Sequence, residues 1–375
     1  MILAVPPKRW KAFQTLMKRR GVEATVIGRF TTSGKCVVSY HGTTVMDVDM
    51  DFLHNGLPVK HLQTSAHKPK KIIAGHFHPS FSFISQQYDH EVQGTSVLKP
   101  LQGRGRVNGD AVVLKPMLSS NRGFVASHAL YPSYGDVDPY LMAAAAIDTA
   151  IRNIVCAGAD PERIALLDNF CWCDSTNPVR LGQLKRAAQA CYDYAVFYGT
   201  PFISGKDSMF NDFHGFDEKG EPVSISIPPT LLISAIGIMD DVQKAVSLDA
   251  KAPGDIIYLL GKNTTKNKKL YAGLASCIQK GLIASAQSVH HGGLAIAIAK
   301  TLIGGMLGAQ VTFEPPGTVL VTVSPANKKQ FEQTLRGNAC AQIGTITDGP
   351  RVRIGVISTT IDRLKKSYEK TFQSY

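Results

Sequence analysis

Three things are scarce or missing in this chain of 375 residues, and each absence removes a class of function. Acid is short: 29 Asp and Glu stand against 41 Lys and Arg, leaving a formal charge of +12. The basic residues are nevertheless dispersed and carry no interleaved aromatic stacking runs, so they do not read as a nucleic-acid surface; phosphorylated small molecules or an acidic partner subunit account for them. The basic clusters at 18–20 and 68–71 read as a solvated helix end and a linker. Paired cysteine is missing as well. The seven cysteines are odd in number and sit mostly in apolar contexts, which argues against a disulfide framework and for a reducing, cytoplasmic compartment. Cys171-Trp172-Cys173 lacks the second Cys or His pair that would complete four ligands, and reads as packing rather than a metal clip. Finally, no apolar run approaches the roughly 20 residues that span a bilayer. Lys8, Arg9 and Lys11 are followed by no apolar signal segment, so an unprocessed, soluble chain with no membrane contact is expected. What is present, 44% hydrophobic and 19% charged residues, suffices for large cores and for two domains or slightly more.

The richest chemistry lies in PFISGKDSMFND, residues 201–212, which sets glycine, lysine, carboxylate and hydroxyl side by side between apolar segments. No GxxxxGK[ST] loop is present, so this is not a Walker A motif. The run reads as a turn at a strand end. Gly205 would free the backbone for a left-handed or crowded conformation in which amides converge on a phosphate. Lys206 would add positive charge, Ser208 a hydroxyl, and Asp207 a hold on Mg²⁺ or a ribose.

Periodicity predicts a helix over 10–20 and strands at 24–30, 35–40 and 43–49, too little for a comfortable core of their own. Residues 60–71, rich in Lys and His, read as a linker. Next come strands near 112–115 and at 124–128, a helix over 139–157, a strand at 164–169, a helix over 179–198, a strand running into Ser204 and another at 230–239. The helix at 139–157 is carried by the Ala143 to Ala146 run with Ile147, Ile151 and Ile154 at period 3.6. Beyond Val246, strands are expected at 255–261, 318–322 and 342–347, with helices at 270–281, 294–302 and 361–371. This order is that of helices laid over sheets.

Five segments in this order, QQYDHEVQG (86–94), GDAVVLKP (109–116), DPYLMAAAAIDTAIRNIVCAGADP (138–161), ALLDNFCW (165–172) and SGKDSMFND (204–212), resemble the second synthetase half of phosphoribosylformylglycinamidine synthase. That family sits in the superfamily of aminoimidazole ribonucleotide synthetase, selenophosphate synthetase and thiamine-monophosphate kinase. The resemblance covers nearly the whole chain. It implies an aminoimidazole ribonucleotide synthetase-like α/β and α+β two-domain unit preceded by a partial domain. Residues 1–67 would be the tail of a preceding carboxy-terminal synthetase-like domain plus linker, 68–245 an amino-terminal α/β domain and 246–375 a carboxy-terminal α+β domain. The activity implied is ATP-dependent amidation of formylglycinamide ribonucleotide in purine biosynthesis, with glutamine-derived ammonia.

The resemblance also distributes roles. Ser204, Gly205, Lys206, Asp207, Ser208 and Lys115 would bind nucleotide or phosphate, and Asp110 and Asn153 would belong to a Mg²⁺ site beside ATP. Tyr88, Asp89, His90 and Gln93, alternating along a strand, would face the substrate or a subunit interface. Neighbours on a strand point to opposite sides, so Asp89 does not orient His90, and no catalytic residue is assigned. Three departures weaken the metal site. Thr149 stands where the family's helix has a glutamate one turn before the asparagine, and His291 in SVHHGGL stands where an aspartate is usual. The family's GGSEY loop after IYLLGKNTT is missing. An imidazole does not replace a hard oxygen ligand for Mg²⁺. The expectation is a degenerate, auxiliary cleft in a half that is incomplete alone, with the first synthetase half and a glutaminase subunit or domain as partners, or a homodimer. A noncatalytic scaffold and a stand-alone ATP-dependent kinase of the same superfamily are the alternatives.

Overall fold

A computed structural model describes residues 1–66, 79–87, 91–135, 137–262, 266–312 and 317–374. The chain divides into two compact units, Met1–His61 and Leu62–Tyr375. In the first, α1 (Trp10–Arg19) precedes the hairpin of β1 (Lys35–Tyr40) and β2 (Thr43–Asp49), which α2 (Met50–Asn55) follows. His41 and Gly42, both with positive φ, close the hairpin as a two-residue turn whose twist matches the strands. The strand expected at 24–30 does not form, and Val26, Ile27 and Phe30 are exposed there with no strand to pair with. No residue of this unit is buried.

The second unit opens with a short helix α3 (Ser82–Ser85), then β3 (Ser96–Leu98) and the bridging pair β4 (Leu101–Gln102) and β5 (Val107–Asn108). Next come β6 (Ala111–Leu114), β7 (Gly123–Leu130), α4 (Pro132–Gly135), α5 (Pro139–Ala157), β8 (Ile164–Cys171), α6 (Pro178–Tyr198), β9 (Phe202–Ser208), a hairpin of β10 (Phe213–Phe216) and β11 (Pro222–Ile225), and β12 (Thr230–Met239). Strands β3-β6-β7-β12-β8-β9 form a sheet in that order, antiparallel except for the β8/β9 pair. Along β12, Leu231, Ile233, Ala235 and Met239 are buried, while Leu232, Ser234, Ile236 and Ile238 on the other face are half-buried. This alternation marks a sheet packed on one side.

Helix α5 fills that packed side. Asp138 caps it by accepting from the Tyr140 N–H at 2.9 Å, Pro139 occupies its first turn, and Gly158 ends it at φ +112°. Every residue from Met142 to Ala157 is buried, and full burial of a side chain such as Ile147 or Ile151 is worth about 1.5–3 kcal/mol. By length and composition this 19-residue helix is apolar enough to cross a membrane. The expectation that no such run exists therefore fails, although the helix serves as the core of a folded domain.

The chain continues through β13 (Ile256–Leu260), α7 (Lys268–Gln279), β14 (Ser285–Ser288), α8 (Gly293–Gly305), β15 (Gly308–Val311), β16 (Val319–Val323), α9 (Lys328–Thr334), β17 (Cys340–Thr347), β18 (Arg351–Ile354), β19 (Ile357–Thr360) and α10 (Ile361–Glu369). Its seven-stranded sheet runs β14-β16-β13-β17-β15-β18-β19. The near-continuous apolar runs of β13 and β16, broken only by Thr322, reflect burial on both faces. Tyr258, Leu260, Val319 and Val321 join the core shared with α5 and α7, whereas Ile257, Leu259 and Leu320 pack with α8 and α10 residues Ile298, Leu302 and Ile361.

Candidate functional site

Asp110 sits where β6 begins, held from behind by Gln102. The Gln102 amide donates to Ala111 O at 3.2 Å and accepts from the Leu248 N–H at 2.9 Å. A Cβ at Gly109 would lie 2.0 Å from Gln102 Nε2, so any larger residue there would push the Gln102 amide aside. Asp110 Oδ1 accepts from Lys300 Nζ of α8 at 2.8 Å. His290 Nε2 approaches the same oxygen at 3.1 Å, without hydrogen-bond alignment. Burial pushes this carboxyl upward, but Lys300 and His290 together outweigh it and hold the group well below the usual carboxylate range. The other oxygen, Oδ2, is buried and finds no hydrogen-bond partner among the described residues, and the same is true of Asn153 Oδ1. Both residues line one cavity of about 10 Å³ with Gln102, Cys156, Gln287 and Ser288, room for about one water. Burial pushes the Cys156 thiol up to about 12, so it offers neither nucleophile nor ready metal ligand.

One turn away, α5 presents a buried ion network. Arg152 donates to Asp148 Oδ2 at 2.5 Å, to Thr149 Oγ1 at 3.0 Å and to Ser288 Oγ at 2.7 Å. Asp148 Oδ1 in turn accepts from the Tyr198 and Tyr271 hydroxyls, each at 2.6 Å. Tyr131 joins the two positions where the resemblance expects carboxylates: its hydroxyl lies 2.9 Å from Thr149 Oγ1, and its ring stacks on His291 at 4.2 Å between centroids. His291 Nε2 is 2.9 Å from Leu130 O.

Magnesium requires about six oxygens in near-octahedral array. The cavity oxygens of Gln287 and Ser288 already accept from Thr301 and Arg152, leaving Asp110 Oδ2 and Asn153 Oδ1, and an ammonium rests on that aspartate. Among the described residues no group of three or more His, Cys, Asp or Glu is arranged to hold a metal. The donor set does not fit Mg²⁺.

The segment 204–208 is elsewhere. It is the outer half of the edge strand β9, paired in parallel with β8, and not a turn. Gly205 has no positive φ; glycine is needed because a Cβ would meet Asp168 Oδ1 at 2.0 Å. Burial and then the neighbouring Asp207 raise the Asp168 carboxyl above its ordinary value. Alternation puts Ser204, Lys206 and Ser208 on one side of the strand, Ser204, Lys206 and Asp207 being exposed and Ser208 half-buried. Lys115, at the end of β6, is four strand spacings away from β9, roughly 19 Å at about 4.8 Å each. The sheet therefore does not bring it to the Ser204–Ser208 group. Gln93 is exposed in the turn before β3, while Tyr88, Asp89 and His90, like the shortened loop at 263–265, lie outside the described residues. Lys300, Tyr131 and the Asp148–Arg152 pair were not anticipated. The one signal for the last is its i, i+4 spacing on an apolar helix.

Residues 108–239 match the N-terminal domain of AIR synthase related proteins, which gives the class of the fold. Over 99% of its length the chain is 26% identical to the phosphoribosylformylglycinamidine synthase subunit PurL of Methanocaldococcus jannaschii, covering 57% of that protein. It shares its fold with Thermotoga maritima PurL solved as a complex with ATP, with a TM-score of 0.59, 19% identity and coverage of 92% of this chain and 54% of that one. The structure of PurLQS from the same organism matches with the same TM-score, identity and coverage. The chain is similar to PurL over nearly its whole length, has an α/β and α+β fold of the AIR synthase type, and spans somewhat more than half the length of the curated relative.

Proposed function

We propose that the chain acts as one synthetase half of phosphoribosylformylglycinamidine synthase, in the ATP-dependent amidation of formylglycinamide ribonucleotide in the cytoplasm, and that it is inactive alone. The observation that carries this is the cleft at Asp110: the chain aligns with PurL over nearly its whole length, yet its own carboxylate cleft is closed by Lys300 and Arg152. Such a half contributes surfaces rather than a metal-loaded centre. In this reading the amino-terminal and carboxy-terminal parts meet near residue 245. The half-buried apolar face of the first sheet, with Leu232, Ile236 and Ile238, pairs with another synthetase half or a second copy of the chain. A glutaminase partner supplies ammonia; the PurLQS assembly of a structural neighbour supports work in a complex with partner subunits. Ser204, Lys206 and Ser208 are the proposed contacts for phosphate oxygens, through hydroxyls and a charge-assisted bond.

The test is reconstitution. ADP release dependent on formylglycinamide ribonucleotide is expected only when a complementary synthetase half and an ammonia source are added. Turnover by the chain alone with ammonium, ATP and substrate would overturn the proposal, as would a stable monomer in light scattering at micromolar concentration.

A further inference from the structure

A buried carboxylate needs a counter-charge, and in this fold that charge is supplied by a residue 190 positions away in sequence. Lys300 reaches from α8 to the start of β6, and both side chains are largely enclosed, at 12% and 13% exposure. The next positive charge, Arg152, is fixed to Ser288 on the cavity wall and is matched by Asp148. The four groups Asp110, Lys300, Asp148 and Arg152 sum to zero as two opposite-charge pairs. A divalent ion at Asp110 Oδ2 would add two positive charges beside an ammonium already bonded to the same carboxylate, in a space with few oxygens left to surround it.

We infer that Lys300 is the resident cation of Asp110: its tethered ammonium, bonded to Oδ1, takes the charge-balancing role of a metal ion and keeps divalent cations out. The inference deepens the reading of a cleft without its metal and rests on that part of it alone.

The probe is Mn²⁺ alone, with no nucleotide and no partner, followed by loss of the free-ion electron paramagnetic resonance signal on the full chain. Failure of the amidation proposal therefore leaves this result unaffected. The wild-type chain is expected to show no site tighter than about 1 mM. Lys300→Ala is expected to gain one site at least about tenfold tighter, and the further change Asp110→Asn to remove it. Lys300→Arg, which keeps the charge, should gain none. If circular dichroism shows that the alanine variant does not fold, Lys300→Gln serves in its place. Micromolar binding by the wild type that Asp110→Asn abolishes would overturn the inference, and so would a folded, charge-removed variant that gains no site.

Discussion

At Asp110 one oxygen holds an ammonium and the other finds no partner among the described residues, so each partner is exposed to a different loss. Asp110→Asn would leave Lys300 buried without its counter-ion, an error that costs about 3–5 kcal/mol at neutral pH. The sign of the pH dependence follows from the depressed folded-state value: the stabilisation is fully present above the ordinary carboxylate value near 4 and is lost as pH falls from there toward the folded one. Urea midpoints of wild type and Asp110→Asn should therefore differ most at pH 7 and converge below about pH 4; a gap that widens in acid would refute the pairing. At β9, Gly205→Ala forces a methyl against the Asp168 carboxylate and should cost about 1–3 kcal/mol. Asp168→Ala in the same chain should recover much of this, a non-additivity that a double-mutant cycle measures. Lys206 is exposed, so Lys206→Ala should weaken binding of a phosphorylated ligand by only about 1 kcal/mol or less in calorimetry. Asp110, Thr149, Asn153 and His291 were legible because they sit at fixed offsets in sequence motifs. Lys300 was not, since periodicity places it on a helix without saying which strand that helix meets.

Among the elements, α5 was read to the residue and β9 was misread, for reasons that differ in kind. An Asp-Pro start and a glycine stop are local signals, and both were honoured. The serine, glycine and lysine of β9 look like turn chemistry, but parallel pairing with β8 holds them extended, and a tertiary contact with Asp168 explains the glycine. Strands β14, β15, β18 and β19 were missed because four residues give too short a window for alternation, least of all when both faces are covered. The cap on α5 is testable. Asp138→Ala removes the bond from the Tyr140 N–H and should lower stability by about 1 kcal/mol. Its ion pair with Arg186, a side chain 53% exposed, should add little, so Arg186→Ala alone ought to leave the unfolding midpoint nearly unchanged.

Across the second unit, Asp148 gathers three helices and, through Arg152, the first strand of the second sheet onto one carboxylate. Asp148→Asn strands the Arg152 charge and is expected to cost about 3–5 kcal/mol. Because the core is continuous from the first sheet through α5 to the second, the loss should appear in calorimetry as one transition moved to lower temperature, not as two. The Tyr131 bridge between Thr149 and His291 carries a consequence of another kind, for reversal. A glutamate restored at 149 alone would displace the Tyr131 bond and enter beside Asp148, and an aspartate restored at 291 alone would forfeit the ring stack. Neither would be offered a metal while Lys300 keeps its place. The changes at 149 and 291 gain nothing while Lys300 stays and each is harmful when made first, and that dependence on order behaves as a ratchet: the cleft moves into this state more readily than single substitutions at those two positions can take it back.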